Sequence, residues 1–404
     1  MFSLSHPFGN QNVRQALAAL NGAELLSRFH TTVYWDATWP VNSLLPRAAK
    51  SELNRRTYPQ VERRQVSLSP VREGGRLLFH KLGLRIAPFS ARVIGEKLDA
   101  ATALYVNRYR PKAVYAYSGL ALQTFRSAKR QGAICVYELP CGYCRYTAKL
   151  LQEEALLKPE YADTMPGRNY ASALLEDRDE ELDKADHIIV PSRHVNDTLK
   201  TSPASGRELL LIPYGTHEAT SPIRPLGQPK RARLRVLFVG ALTQGKGIAY
   251  AFDAIKLLNR ATEFTIIGRK VGTSTAVDAI LGQNRWIPST PNERILEEMA
   301  RHDVLVFPSL TEGFGLVIGE ALSRGLPVIT TASTGGPELI RDGQDGFIVP
   351  IRSAQAIAEK LEMLNRDRER LDWMSQSARL RARDFSWERY RSVLAATLKH
   401  VLEL

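Results

Sequence analysis

Two glutamates stand eight positions apart in Thr311-Glu312-Gly313-Phe314-Gly315-Leu316-Val317-Ile318-Gly319-Glu320. That spacing sets one carboxylate in a loop and the other about one turn inside a following helix. The preceding run, Val304-Leu305-Val306-Phe307-Pro308, is a short apolar stretch closed by proline, the pattern of a buried strand ending at a turn. Gly313 and Gly315 leave room for a substrate against the backbone, and the residues from Leu316 toward Arg324 favour a helix. Phe314, Gly315 and Leu316 then carry free N–H groups at a helix start, where anionic or hydroxyl-rich ligands bind. Glutamates near helix starts also merely complement the macrodipole, so the pair alone admits both readings.

A second candidate group precedes it. Arg235-Val236-Leu237-Phe238-Val239-Gly240-Ala241-Leu242-Thr243-Gln244-Gly245-Lys246-Gly247 reads as a strand, a loop and a helix start. A lysine among glycines at a helix N-terminus is placed to neutralise a diphosphate. Behind the glutamates, Gly325-Leu326-Pro327-Val328-Ile329-Thr330-Thr331 reads as another strand. Gly335-Gly336-Pro337-Glu338 opens a helix with Gly343 and Gly346 as stop signals. Strand, glycine-bearing loop and helix in repetition predict a parallel sheet whose loops form a ligand crevice.

The stretch from Glu312 to Pro350 resembles the donor-binding half of the retaining glycosyltransferases of family 4 (glycosyl transferases group 1), whose signature is Glu, seven residues, Glu. The resemblance implies the GT-B fold: an α/β chain of two Rossmann-like domains facing across a cleft, with a C-terminal helix crossing back to the N-terminal domain. It also implies a hexosyltransferase-type activity that uses a nucleoside-diphosphate sugar as donor substrate and needs no cofactor. By resemblance, Glu312 holds hydroxyls of the transferred sugar and Glu320 the ribose. Lys246 and Gly240 match the family's phosphate motif, and Gly313, Phe314, Gly315 and Leu316 line the leaving group. Ile287, in Trp286-Ile287-Pro288, resembles the segment that contacts the base through backbone groups. Gly9 and Asn10 resemble the first glycine loop, without its usual paired glycines.

The chain departs from the family at two further points. Ala241 stands where an arginine is usual, so one cation of the expected pair is missing; Arg269, after the next strand, is either its replacement or a surface arginine. Glu138 stands where many relatives carry a histidine. A carboxylate there could orient the sugar, accept the acceptor's proton or attack the anomeric carbon, and it could equally be a strand-end glutamate in solvent. The candidate catalytic residues are therefore Glu312, Glu138 and Lys246. No metal is implied, and no Asp-x-Asp motif of the kind that holds a divalent cation in the other common glycosyltransferase fold is expected.

At 404 residues with 44% hydrophobic content, the chain suits two domains. We place an N-terminal acceptor-binding domain at 1–217, with 385–404 crossing back to it, a linker at 218–233, and a nucleotide-sugar domain at 234–384. Within the first, a helix is expected through Leu26, a strand at Thr31–Trp35, and a partly ordered insertion over Asp36–Gly95. Ser386 is expected to cap the final helix. No apolar run reaches the roughly 18 residues that span a bilayer, and Met1–Pro7 lacks a basic flank and a long apolar core. A cytoplasmic location is expected.

The net charge of +13 is uneven: between Arg47 and Lys149, 20 Lys and Arg face 6 Asp and Glu, a surplus larger than the whole chain's. Such a half fits an anionic partner, such as the inner face of the plasma membrane or a lipid-linked acceptor, or it is simply a solvated face. No nucleic-acid motif accompanies it. Cys141-Gly142-Tyr143-Cys144 has a spacing used by zinc and redox sites, but no second pair exists and reduced thiols are the plainer reading. The expected function is transfer of a sugar to a hydroxyl acceptor, glycan or lipid-linked glycan, in surface polysaccharide assembly. The alternatives are a sugar-nucleotide epimerase or hydrolase of the same fold, and a non-catalytic binder of anionic surfaces.

Overall fold

The computed structural model describes residues 1–36, 38–46, 50, 53–54, 56–70, 75, 90–216, 223–227, 233–258 and 261–403. Two parallel sheets organise them. The first contains β1 (Phe2–Ser5), β2 (Leu26–Thr31), β3 (Val66–Leu68), β4 (Ala113–Tyr117), β5 (Ile134–Glu138), β6 (His187–Val190) and β7 (Leu210–Leu211), in the order β3-β2-β1-β4-β5-β6-β7. The second contains β8 (Leu234–Val239), β9 (Thr262–Ile267), β10 (Arg285–Ile287), β11 (Val304–Phe307), β12 (Val328–Thr331) and β13 (Gly346–Val349), in the order β10-β9-β8-β11-β12-β13. Central strands such as β4 and β11 are buried at every residue. They read as continuous apolar runs because helices cover both faces of a parallel sheet.

Besides a single helical turn at Val41–Leu44, the helices of the first half are α1 (Gln11–Gly22), α2 (Ala91–Tyr109), α3 (Leu122–Lys129), α4 (Cys144–Leu157), α5 (Ser172–Lys184) and α6 (Arg193–Thr198). Those of the second half are α7 (Ile248–Leu257), α8 (Thr275–Gln283), α9 (Asn292–Arg301), α10 (Leu316–Ser323), α11 (Gly336–Leu339), α12 (Ala354–Arg366) and α13 (Arg368–Ala382). The last helix, α14 (Trp387–Glu403), begins where the Ser386 hydroxyl accepts the Arg389 N–H at 3.1 Å. It returns to the first sheet's α1, to which Arg391 donates through Gln15 at 2.7 Å, and it buries Trp387, Tyr390, Leu394, Leu398 and Val401. Apolar spacing along one side of a helix is what this packing requires.

Several expected boundaries move. The strand expected at Thr31–Trp35 lies earlier, at Leu26–Thr31, and the helix expected through Leu26 ends at Gly22. The polar residues of β2 face partners inside the protein: the His30 ring bonds Ser3 of β1 at 2.9 Å. The Asp36–Gly95 stretch is not simply an insertion, because β3 extends the sheet there and Tyr58 and Val61 belong to its core; the remainder of the expected insertion lies largely outside the described residues. So does most of the 218–233 linker. Its described part is anchored to the second half by buried Arg224, which donates to Asp372 at 2.8 Å and, through its N–H, to the Arg324 carbonyl at 2.8 Å.

One element between the sheets was not read from the sequence. Helix α4 and the turns after it, Pro159–Thr164, leave the first sheet and pack on the second, where Leu150 and Tyr161 join a core built from β8, β9 and β11.

Candidate active site

The carboxyl ends of both sheets meet at a cavity of about 430 Å³. Asn10 and Asn12 follow β1, Pro140 follows β5 and Tyr214 follows β7; opposite them, Gly240 and Ala241 follow β8 and Glu312 follows β11. β1 lies between β2 and β4, and β8 between β9 and β11. In each sheet the strand order reverses there, which opens the crevice where ligands of such folds bind.

Lys246, Glu312, Phe314, Gly315, Leu316 and Glu320 all line this cavity. Lys246 ends a short turn, Gln244–Lys246, whose first N–H groups need a partner; the Thr243 hydroxyl accepts the Lys246 N–H at 3.3 Å. The ammonium meets the Glu312 carboxylate and lies 5.4 Å from the centre of the Phe307 ring. Burial lowers the Lys246 pKa to about 8. Gly315, at φ +80°, opens α10, and among the described hydrogen bonds no acceptor takes the N–H of Gly315, Leu316 or Val317. These donors point the helix's positive end into the cavity. Glu320 accepts from Asn292 at 3.3 Å, and burial raises its pKa.

Other expected residues fall elsewhere. Glu138 is fully buried and is not part of the cavity wall. It accepts from Tyr115, from Tyr214 at 2.5 Å and from Asn12 at 3.5 Å, and burial raises its pKa. It is therefore neither a solvent-facing glutamate nor a group exposed to substrate; it reaches the cavity only through Asn12 and Tyr214. Gly9 is also off the wall: its N–H donates to His6 Nδ1 at 3.0 Å, and a Cβ there would lie 2.2 Å from the Tyr58 ring. Asn10 lines the cavity while its side chain caps α1, accepting the Val13 N–H at 3.1 Å.

Arg269 is exposed and absent from the wall, so the space beside Ala241 has no second cation; Lys246 is the one basic side chain among the described lining residues. Ile287 is likewise outside the wall, and its carbonyl accepts the Gly268 N–H at 3.0 Å. Gly313 serves the approach of the domains rather than of a substrate. A Cβ on it would lie 1.8 Å from the Pro140 carbonyl oxygen of the first domain.

Sequence reading missed Glu154. This fully buried residue of α4 accepts from Gln244 at 2.7 Å, Tyr250 at 2.8 Å and Arg352 at 2.7 Å. Gln244 also caps α7 through the Ala249 N–H and donates its own N–H to Thr164. The loop that presents Lys246 is thus held by residues the first domain contributes. The run Leu150-Leu151-Gln152-Glu153-Glu154 is the available signal, since it sets an acid on the same helix as buried leucines.

An Asp-x-Asp triplet does occur, contrary to expectation, at Asp177-Arg178-Asp179. It lies in the middle of α5, where Asp179 accepts from the Tyr143 hydroxyl at 2.5 Å and from Arg145 at 2.8 Å. Among the described residues no group of three or more His, Cys, Asp or Glu is placed to hold a metal ion. Cys141, between β5 and α4, and Cys144, the first residue of α4, are free thiols. A larger cavity, about 530 Å³, opens between α2, α3 and α5 and contains none of the candidate residues. The smaller one gathers the chemistry and is taken as the site.

Residues 224–381 match the family model of the glycosyl transferases group 1. Over 146 residues the chain is 32% identical to the amylovoran biosynthesis glycosyltransferase AmsK of Erwinia amylovora, covering 33% of this chain and 36% of that protein. Over 232 residues it is 31% identical to the D-inositol 3-phosphate glycosyltransferase of Corynebacterium aurimucosum, covering 51% and 55%. The chain thus spans about a third to a half of the length of these curated relatives. Among solved structures, sucrose-phosphate synthase of Thermosynechococcus elongatus overlays with a TM-score of 0.71 at 18% identity, covering 100% of this chain and 99% of that one. Anabaena Alr3699/HepE in complex with UDP and glucose overlays with a TM-score of 0.65 at 17% identity, covering 99% of each chain. The segment that matches the glycosyl transferases group 1 model thus carries Lys246, Glu312 and Glu320, and the two facing sheets have the GT-B fold.

Proposed function

We propose that this protein is a retaining, metal-independent glycosyltransferase of family 4 that moves a sugar from a nucleoside diphosphate to a hydroxyl acceptor. The observation that carries this reading is the single cavity in which Lys246, the open amides of α10, Glu312 and Glu320 converge from the second domain, faced by Asn10, Asn12 and Tyr214 from the first. Breaking the anomeric C–O bond builds positive charge on the sugar and negative charge on the leaving diphosphate, so placed charges and dipoles lower the barrier. Lys246 and the α10 amides are suited to the diphosphate, Glu320 to the ribose, and Glu312 to the sugar hydroxyls. Glu312 also balances Lys246 until a donor arrives.

The acceptor would enter from the first domain, whose basic stretch suits a glycan or a lipid-linked glycan at the cytoplasmic face of a membrane. AmsK, similar over a third of this chain, is named for amylovoran biosynthesis, which supports a role in surface polysaccharide assembly. The test is a thermal-shift panel of uridine, guanosine and adenosine diphosphate sugars, followed by an assay of nucleoside diphosphate release with and without candidate acceptors. A donor that raises the melting temperature and is consumed only when acceptor is present is the expected result. Release without acceptor would favour a hydrolase. Absence of any donor binding, combined with sedimentation on acidic vesicles, would favour the binder of anionic surfaces.

A further inference from the structure

We infer that Ser192 and His194, at the start of α6 in the first domain, are positioning residues for Glu312 in the second. The peptide segment carrying Glu312 is held from the opposite domain on both sides. On one side, His194 Nε2 bonds the Thr311 hydroxyl at 2.9 Å; on the other, the Ser192 hydroxyl donates to the Gly313 carbonyl at 2.6 Å. Ser192 is fully buried and His194 is 7% exposed, so water does not compete for either bond. Between them the Arg193 N–H donates to Glu338 of α11 at 2.9 Å. Gly313 presses on the Pro140 carbonyl, leaving the segment no slack toward the first domain. Within its own domain, the Glu312 N–H donates to the Ser333 carbonyl at 2.9 Å.

The consequence reaches chemistry through Glu312 alone. The loop that carries Lys246 is held through Gln244 and Glu154, and Glu320 stands on a helix; neither bonds α6, and the ion pair of the Lys246 ammonium with Glu312 is the link that a bound diphosphate replaces. Loss of the two bonds therefore frees the sugar-facing carboxylate while the diphosphate and ribose contacts stay in place. The inference rests on the proposed transfer reaction, and its signature is selective: the nucleoside diphosphate is bound as before, but the sugar adds less to affinity and turnover falls. A displacement of about 1 Å in a positioning group is enough to cost roughly 100-fold in rate.

The experiment compares the full-length wild type with Ser192→Ala, Ser192→Thr, His194→Phe, His194→Gln, Thr311→Val and the His194→Phe/Thr311→Val double variant. Lys200→Ala, an exposed lysine just beyond α6, is the control. The probes are UDP-glucose and UDP, or the matching pair the donor panel selects. Expected are kcat values down roughly tenfold or more in the Ala, Phe and Val variants, with UDP affinity within about twofold of wild type and a smaller ratio of UDP-glucose to UDP affinity. Ser192→Thr and His194→Gln, which keep a donor in place, should restore most of the loss. The double variant should be no worse than its worse single. The inference is overturned by wild-type kcat and affinity ratio in these variants, by additive losses in the double variant, or by equal weakening of UDP and UDP-glucose. A wild type that neither binds nor turns over any sugar nucleotide would instead overturn the transfer reading itself.

Discussion

Lys246 is the residue on which the positive charge of the proposed donor site depends, because Ala241 and exposed Arg269 leave it as the one cation among the described lining residues. Burial brings its pKa to about 8. The side chain is a cation below that pH and neutral above it, so affinity for a nucleoside diphosphate should fall as pH rises through about 8. Titration calorimetry from pH 6.5 to 9.5 checks this, and flat affinity across that range would remove Lys246 from the diphosphate. Lys246→Ala should weaken nucleotide binding by about 10 to 100-fold, the range for a hydrogen bond to a charged group, while Arg269→Ala should change it little. Glu138 makes a contrasting prediction. It is sealed beneath Asn12 and Tyr214, so Glu138→Gln, which still accepts hydroxyl bonds, should lower kcat by about 10-fold rather than the 10⁴-fold or more expected of a lost nucleophile. Lys246, Glu312 and Glu320 were legible because their meaning is local: a residue type beside glycines or at a helix start. The Glu138 environment was not, since its partners Asn12 and Tyr214 lie 126 and 76 positions away.

At the scale of elements, strands dominated by apolar residues, such as β11 and, apart from Arg235, β8, stand where their sequences put them. Those with polar residues do not: β2 carries Ser27, Arg28 and His30, and β3 is three residues long. Their polar groups are satisfied by neighbouring strands and loops, which a single segment does not reveal. The same reason hid α4 as a strap between the domains. Its leucines look like any amphipathic helix, and only the fold shows that they and Glu154 face the second sheet. Glu154→Ala would leave Gln244, Tyr250 and the Arg352 guanidinium without their common acceptor, at a cost of about 3 to 5 kcal/mol. Melting should drop by several degrees, and nucleotide affinity should drop with it because the Lys246 loop hangs on Gln244. Glu154→Gln, which retains an acceptor but loses the charge opposite Arg352, should fall between wild type and Glu154→Ala in both measurements. Loss of stability with unchanged nucleotide affinity would disconnect the strap from the site.

Over the whole molecule, the described residues link the two sheets through α4 and the turns after it, through Tyr214–Thr216, and through α14. The last two links touch, since the Thr216 N–H donates to the Phe385 carbonyl at 2.6 Å and Tyr214 packs edge-on or tilted against Trp387, Tyr390 and Phe314. Tyr214 also lines the cavity and bonds Glu138, so α14 supports the site as well as the first domain's surface. Removing 385–404 exposes the core that Trp387, Tyr390, Leu394, Leu398 and Val401 cover. Burial of each such side chain is worth about 1.5 to 3 kcal/mol, so the loss of all five approaches the whole stability of a typical domain. The truncated chain should aggregate or melt far below the full chain, and the loss should appear in the first domain before the second. Hydrogen exchange separates the two: β1, β4 and β5 should lose protection while β8 and β11 keep it, because α14 packs along α1. Uniform protection in both domains of the truncated chain, with donor binding intact, would mean that α14 is an appendage and that the first domain is held by its own helices alone.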